Sequence, residues 1–326
     1  MSALLEAVDL KVHFPVGRGQ IVRAVDGVSL AVQPGETLGI VGESGSGKST
    51  LGRALLRLER ATAGRVRAFG EDVTELPERR LRAGLRRRAA MIFQDPHQSL
   101  NPRLRIAAAV AEPLVVHRQG DAASRRDRVA ALLARVGLDP AVATRRPHAF
   151  SGGQLQRVGI ARALALDPAV VVADEAVSAL DVSVQAGIIN LMLDLQAERG
   201  LTWVFIAHDL DVVRLVSHRV AVMYLGRVVE LAPAAALFGD PRHPYTRSLL
   251  AAAPVPDPRH RTVPVILPGE PPSPLRPPPG CAFHPRCPLA DARCRQEAPA
   301  LRTATDGRAV ACHHSAPDGI DGGGRT

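Results

Sequence analysis

The sequence predicts an α/β fold: an α/β core entered through an N-terminal antiparallel β-subdomain, interrupted by an inserted α-helical subdomain and followed by a Pro/Cys-rich extension. Three observations predict it. A buried strand over 36–41 (ETLGIV) runs through the glycine-rich loop Gly42-Glu43-Ser44-Gly45-Ser46-Gly47 into a helix over 48–58 (KSTLGRALLRL). Two further short apolar runs, 89–93 and 169–173, each end in polar residues, as buried strands of an open sheet do. The first residues instead alternate apolar and polar side chains, the period of half-exposed antiparallel strands.

Composition sets the bounds. At 326 residues the chain suffices for one large domain, or one domain plus an appendage. Hydrophobic residues make up 46% and aromatics only 3%, so the core must be aliphatic. No apolar run is long enough to span a bilayer, and the start, MSALLEAVDLK, lacks the basic-then-apolar pattern of a secretory signal. A cytoplasmic location is expected. The net charge of +9 fits nucleic acid, anionic lipid or nucleotide phosphates as partners. The arginines are dispersed except at 78–88 (ERRLRAGLRRR), which reads as a solvated helix face, or else as a surface beside membrane or RNA.

Taken in order, 4–14 reads as a strand stopped at Phe14-Pro15, and 21–32 as a strand pair broken at Asp26-Gly27. Phe14 either stacks on an adenine or caps the small β-core. The loop Gly42–Thr50 fits G-x-x-x-x-G-K-[ST]. Its glycines let the backbone wrap a polyphosphate without Cβ clashes, and the loop N–H groups and helix N-terminus face the anion. Lys48 would reach the β- and γ-phosphates, and the Ser49 hydroxyl, followed by Thr50, would ligate Mg²⁺. Lys48 and Lys11 are the only lysines, so a compact ammonium at this position stands out from an arginine background.

The strand over 89–93 delivers Gln94 to the sheet's ligand edge, where its amide could hold water or Mg²⁺, or simply form a turn. Pro102 and Pro113 bracket helical material, and 124–136 reads as an amphipathic helix with Ser124 as N-cap and Gly137 as stop. Ser151-Gly152-Gly153-Gln154 then opens a helix over 155–166, a second anion site. The apolar strand 169–173 carries Asp174 and Glu175 to the edge that holds the phosphate loop. Two carboxylates at the end of a buried strand are costly without a cation. Asp174 would hold Mg²⁺ through water, and Glu175 would orient and deprotonate the attacking water. Ser178 to Asp181 turns into a helix over 184–198. The strand over 202–207 ends at His208, placed to contact a γ-phosphate, and 219–231 reads as a hairpin turning at Gly226-Arg227.

The phosphate loop, Gln94, Ser151–Gln154, Asp174-Glu175, Ser178–Asp181 and His208, in this order and spacing, resemble the ATPase subunit of an ABC transporter over residues 4 to about 253. The stretches GESGSGKSTLGR, MIFQDPHQSLNPR, DVSVQAGIINLMLDLQ, FIAHDLDVVR, HPYTRSLL and GCAFHPRCPLADARC resemble the ATPases of oligopeptide/dipeptide-type ABC importers, closest to the second, F-type, chain. The resemblance implies a P-loop NTPase core over 1–253 with its helical subdomain at about 95–165, an extension over 254–316, and a disordered tail over 317–326. It implies ATP and Mg²⁺, and adenine stacking on Phe14. It also implies head-to-tail pairing with a second ATPase chain, as a heterodimer, whose site Ser151, Gly152, Gly153, Gln154 and Asp181 would complete. Two membrane permease subunits would dock near 94–103, on the cytoplasmic face of the inner membrane, with an extracytoplasmic solute-binding protein beyond. The alternative is a soluble ABC ATPase acting on nucleic acid or ribosomes; against it stand the single phosphate loop and the scarcity of aromatics for base stacking. Three departures from the family pattern are Ala149 for an acidic residue, Leu155 for arginine and Ala176 for proline.

Residues 254–279 hold eleven prolines and read as an extended tether. Cys281, Cys287, Cys294 and Cys312 follow at spacings unlike common zinc or ferredoxin motifs. Clustered cysteines in a cytoplasmic protein suggest a metal centre before disulfides. The resemblance implies a [4Fe–4S] cluster; His284, His313 and His314 keep zinc open, and free structural thiols are the third reading.

Overall fold

The computed structural model describes residues 2–17, 19–178, 180–252, 270 and 272–315. The expected disorder over 317–326, and residues 254–269 and 271 of the proline tether, lie outside them.

The chain opens with strands β1 (Leu5–Pro15) and β2 (Ile21–Val32). They pair antiparallel and are joined by β4 (Ala63–Ala68) and β5 (Glu71–Asp72) in the order β2-β1-β4-β5. Residues 21–32 are one strand, not the expected pair. Gly27 does take a left-handed φ of 80°, but the distortion is absorbed by bulges in the β1–β2 register, so pairing continues past it.

The second sheet has eight strands in the order β11-β12-β10-β9-β3-β8-β7-β6. Its parallel part has β9 (Arg219–Tyr224), β3 (Thr37–Val41), β8 (Thr202–Ile206) and β7 (Val170–Asp174) at the centre and β6 (Ala89–Ile92) at the edge. Strand β10 (Arg227–Pro233) returns antiparallel through a two-residue turn. Leu225 (φ 45°) and Gly226 (φ 78°) are both left-handed, as a type I′ hairpin requires. Strands β11 (Arg302–Thr303) and β12 (Ala309–Val310) extend the sheet from the far end of the chain.

The central strands are buried on both faces, which explains their unbroken aliphatic runs. Their two-residue period divides the core. Val171, Ala173, Trp203, Phe205, Val220 and Val222 face one apolar layer. Val170, Val172, Val204, Ile206, Leu38 and Ile40 face the other, which they share with the β-subdomain and helix α1 (Lys48–Leu55).

Helices α2 (Glu78–Ala83) and α3 (Leu85–Arg88) divide the arginine-rich stretch at Gly84. Arg79, Arg80, Arg82, Arg87 and Arg88 are exposed, while Leu81 and Leu85 are buried on the other side. Arg86 turns inward, donating to the carbonyls of Leu56 and Arg57 at the end of α1.

Between β6 and β7 lie α4 (Pro96–Ser99), α5 (Ile106–Val116), α6 (Ala122–Arg135) and α7 (Gly152–Ala163). Pro113 sits inside α5 instead of bounding it. The helix ends three residues later, so the ring costs one backbone hydrogen bond near its end. Helix α6 begins at Asp121, not Ser124. Asp121 accepts from the Ser124 N–H and Ser124 returns the bond to the Asp121 N–H, a reciprocal cap that moves the start three residues upstream.

Helix α8 (Val182–Arg199) follows β7 and stops at Gly200, in the left-handed conformation. Helix α9 (Leu210–Val216) joins β8 to β9, and α10 (Ala234–Gly239) and α11 (Pro244–Ala251) follow β10. The last helix, α12 (Ala292–Gln296), lies in the cysteine-bearing segment.

Candidate active site at the sheet's C-terminal edge

The site forms where β3, β6, β7 and β8 end. Gly42 follows β3 with φ 150°, and a Cβ there would overlap the Met223 carbonyl. Gly47, the N-cap of α1, has φ 98°, and a Cβ would overlap the Ala24 carbonyl. Only glycine fits either position. Gly45 is also left-handed, at φ 77°. The hairpin turn buttresses the loop from behind: Gly226 N–H donates to the Ser46 carbonyl at 2.9 Å, and Asp26 N–H to the Gly226 carbonyl at 2.8 Å.

No side chain caps α1. Its first-turn N–H groups therefore point into the loop, where an anion meets the positive end of the helix. Lys48 is only 5% exposed. Its Nζ donates to the carbonyls of Gly42 (2.8 Å) and Glu43 (3.0 Å). Burial lowers its pKa, while the charges of Glu175, Asp174 and Glu43 pull it back up.

Asp174, the last residue of β7, is 1% exposed. The Ser49 hydroxyl donates to its Oδ1 at 2.6 Å. Its Oδ2 is buried with no hydrogen-bond partner, and Arg53 stands 3.8 Å away. Burial pushes the Asp174 pKa up, against the Ser49 hydrogen bond and the Arg53 charge. A buried carboxylate with an orphan oxygen beside a serine hydroxyl is a donor set that a hard divalent cation satisfies, so these residues fit Mg²⁺. The Ser46 hydroxyl is likewise buried and unpartnered.

Glu175 takes φ 47°, a left-handed conformation that costs a non-glycine residue about 1–3 kcal/mol. Its N–H is fixed to the Ile206 carbonyl at 2.9 Å. Residue 176 is alanine, and the turn still forms. Gln94 Nε2 donates to Glu175 Oε2 at 2.8 Å, and His208 Nδ1 lies 3.7 Å from the same oxygen. Gln94 thus spends its amide nitrogen on Glu175, and the oxygen of the same amide is the atom that could meet a cation. The amide orients one oxygen of Glu175, with the imidazole nearby but beyond hydrogen-bond range, leaving the other oxygen able to accept a proton from water.

Phe14 is half-buried against the β-subdomain core near the end of β1, opposite Val22. Ser151 caps α7: its hydroxyl accepts from the Gln154 N–H, and the Gln154 side chain returns the bond to the Ser151 N–H. Ser151 and Gln154 are exposed and Gly153 is buried. Gly152 lines a cleft of about 1010 Å³ with Gln94 to Ser99, Arg53, Ser178 and Leu180. Asp181 caps α8, its carboxylate accepting from the Val184 N–H.

All four cysteines are free thiols. Burial, joined by the neighbouring Cys294, Cys312 and Cys287, pushes the Cys281 thiol up to about 11, against a hydrogen bond from the Phe283 backbone. Cys287 and Cys294 are raised for the same first reason. The four groups thus lie within electrostatic reach of one another. Among the described residues one tight ligand set appears: Asp291, Cys294 and His314, with ligand atoms within 4.8 Å of one another.

The sequence reasoning missed the residues that hold the phosphate loop from outside. Tyr245 Oη accepts from the Glu43 N–H at 2.9 Å, and Arg286 Nη1 bridges both Glu43 carboxylate oxygens at 3.1 and 3.0 Å. Separations of 202 and 243 residues gave no local signal for either contact.

The model of the ABC transporter family matches residues 25–178, and that of the oligopeptide/dipeptide transporter C-terminal region matches 229–294. A probable peptide ABC transporter ATP-binding protein of Sinorhizobium fredii is 56% identical over 97% of this chain and 91% of its own length. The oligopeptide transport ATP-binding protein AppF of Bacillus subtilis is 49% identical over 96% and 97% of the two chains. The dipeptide transport protein DppF of Haemophilus influenzae is 48% identical over 96% and 97%. Among solved structures, the dimeric ATP-binding cassette MJ0796 bound to ADP and Pi superposes with a TM-score of 0.66. It is 31% identical and covers 71% of this chain and 98% of its own. A P-loop flanked by Asp174 and Glu175, in a chain related along nearly its whole length to such proteins, leaves one assignment: the chain belongs to the ABC transporter family of ATP-binding proteins, in the branch that carries the oligopeptide/dipeptide transporter C-terminal region.

Proposed function

We propose that this chain is the ATP-hydrolysing subunit that powers import of di- or oligopeptides, or related solutes, through an ABC importer. The observation that carries the reading is the meeting of Lys48, Ser49, Asp174 and Glu175 at one sheet edge. The relatives named for peptide transport favour it over an ATPase acting on nucleic acid.

Lys48 and the N–H groups of Gly42 and of Ser44 to Thr50 bind the phosphates, and Phe14 stacks on the adenine; the Glu43 N–H is taken by Tyr245. Ser49, Asp174 and Gln94 hold Mg²⁺, which when bound neutralises phosphate charge. Glu175, oriented by Gln94, takes the proton of the attacking water, and His208 faces the γ-phosphate. Ser151, Gly152, Gly153, Gln154 and Asp181 serve the site of a second ATPase chain across a head-to-tail interface; the exposure of Ser151 and Gln154 supports this. The partner is a different chain of the same type, this one being the F-type.

Residues 1–253 are the ATP-binding domain, with its helical subdomain at about 95–165, and 254–316 are the C-terminal extension. Two permease subunits dock beside 94–103, and a solute-binding protein delivers cargo on the far side. No helix among the described residues is long and apolar enough to cross a membrane, and we place the chain peripherally, on the cytoplasmic face. Cys281, Cys287, Cys294 and Cys312 hold a [4Fe–4S] cluster; the mutual influence of the four thiols supports this. The compact Asp291–Cys294–His314 set favours zinc as the second reading.

Glu175→Gln tests the function. The variant should bind MgATP as the wild type does and hydrolyse it about a hundredfold more slowly, or less, the usual loss for a missing general base. Undiminished turnover rejects the role of Glu175, and a wild-type chain with no affinity for MgATP rejects the function itself.

A further inference from the structure

Glu43 places a carboxylate inside a loop built to hold polyphosphate. Its charge reaches the phosphate-binding ammonium, since it is among the groups that raise the Lys48 pKa. A free carboxylate there would oppose the anion that the loop N–H groups attract. The structure deals with it from the far end of the chain. Arg286, in the residue before Cys287, is 7% exposed. Its Nη1 lies 3.1 and 3.0 Å from the two carboxylate oxygens.

The contact is built, not incidental. Phe283, three residues earlier, is 1% exposed. Its ring packs edge-on to Tyr224 at 5.3 Å and against Tyr245 at 5.4 Å. Tyr245 in turn accepts the Glu43 N–H. The buried Tyr224 hydroxyl lies beside the guanidinium. Arg286 is thus carried on an aromatic wedge that sets it opposite the Glu43 carboxylate. Glu43 is held at its N–H by Tyr245, at its carbonyl by Lys48, and at its carboxylate by Arg286.

We propose that Arg286 is a positioning residue of the ATP site: it holds the Glu43 carboxylate away from the phosphates and neutralises it. The C-terminal segment then does more than decorate the ATPase core; it completes the phosphate loop's electrostatics. The proposal rests on the reading of Gly42–Thr50 as the ATP site, and wild-type affinity for MgATP tests that reading separately.

The test is equilibrium binding of MgATP and MgADP to the full chain and its variants, with thermal stability measured alongside. Arg286→Gln should weaken MgATP binding about tenfold, with a smaller loss for MgADP and a loss that shrinks as salt is raised, because the effect is a partly screened charge near the ligand. Glu43→Gln should bind MgATP within about threefold of wild type, and Glu43→Gln/Arg286→Gln should recover to that level, since the offending charge is gone. A contact that only stabilises the fold predicts no such recovery and no salt dependence. Arg286→Lys makes the same comparison where Arg286→Gln does not fold: about threefold weaker binding by itself and no loss in the Glu43→Gln background, because lysine lacks the planar fork. Wild-type affinity in Arg286→Gln, or a double variant as weak as the single, overturns the proposal. So does an Arg286→Lys loss that persists without the Glu43 carboxylate.

Discussion

His243 caps α11 with a ring nitrogen: its Nδ1 accepts the Tyr245 N–H at 3.0 Å, which requires that nitrogen to be unprotonated. The ring is 2% exposed, and burial lowers its pKa from 6.5 to about 4, against a hydrogen bond with the Ala311 backbone. Below pH 6.5 the unfolded chain takes up a proton that the native chain refuses. Stability is therefore complete above that pH and is lost as pH falls toward 4, by about 3 kcal/mol in full. Urea unfolding should show a loss of roughly 2 kcal/mol between pH 7 and pH 5 from this group, and His243→Asn, which caps without titrating, should remove that part of the slope. An unchanged slope would show that the native ring does accept the proton. His243 was legible in the sequence only as part of HPYTRSLL, with no role, because the ring that packs on it, Phe283, lies far along the chain. Lys48, Ser49, Asp174 and Glu175 were legible because each adjoins a buried strand end, where local pattern fixes position. Their grouping follows from strand order, and the contacts of Gln94 with Glu175 and of Ser49 with Asp174 place it at hydrogen-bond range.

Elements were read most securely where hydrophobic period and length agreed. The central strands and α8 shift by no more than two residues between expectation and structure. The failures lie where two local signals competed. At Asp26-Gly27 a turn dipeptide sits in a strand, and the neighbours' pairing turns it into a bulge. At Pro113 a helix breaker falls in the last turn of α5, where little helix remains to break. At α6 both Asp121 and Ser124 are good cap residues, and the box uses both, with Asp121 outermost. That order has a consequence for stability. Asp121→Ala should cost about 1 kcal/mol, by removing the acceptor for the Ser124 N–H. Ser124→Ala should cost about half as much, because the Asp121 N–H it frees is exposed to water. Thermal melts of the two variants would decide it, and a larger loss for Ser124→Ala would return the N-cap to Ser124.

At the scale of the whole molecule, the chain closes on itself. Strand β12 adds to β10, the Ala311 N–H donates to the Val229 carbonyl, Phe283 enters the aromatic cluster and Arg286 reaches the phosphate loop. The sequence showed a proline-rich stretch and four cysteines, which suggested an appendage; it could not show that the segment after the prolines returns to the core, because every contact that seats it is long-range. From Gly280 to Ser315 the regular structure is only two two-residue strands, a five-residue helix and a short 3-10 turn. So little structure rarely holds itself without a staple, and disulfides do not supply one, since the four thiols are free. Burial and the repulsion of neighbouring thiolates disfavour the ionised forms of Cys281, Cys287 and Cys294 unless a cation compensates. A metal centre resolves both problems at once. Anaerobically purified protein should then contain iron with acid-labile sulfide, or zinc at one per chain if the Asp291–Cys294–His314 set is the true site. Cys294→Ser should lose that metal and melt lower by about 4–8 °C per kcal/mol in a domain of 60–100 residues, less in a larger one. Because Arg286 adjoins Cys287, MgATP affinity should fall in the same variant. Metal-free wild-type protein whose melting is indifferent to Cys294→Ser would mean that the aromatic wedge and the Arg286–Glu43 pair seat the segment without help.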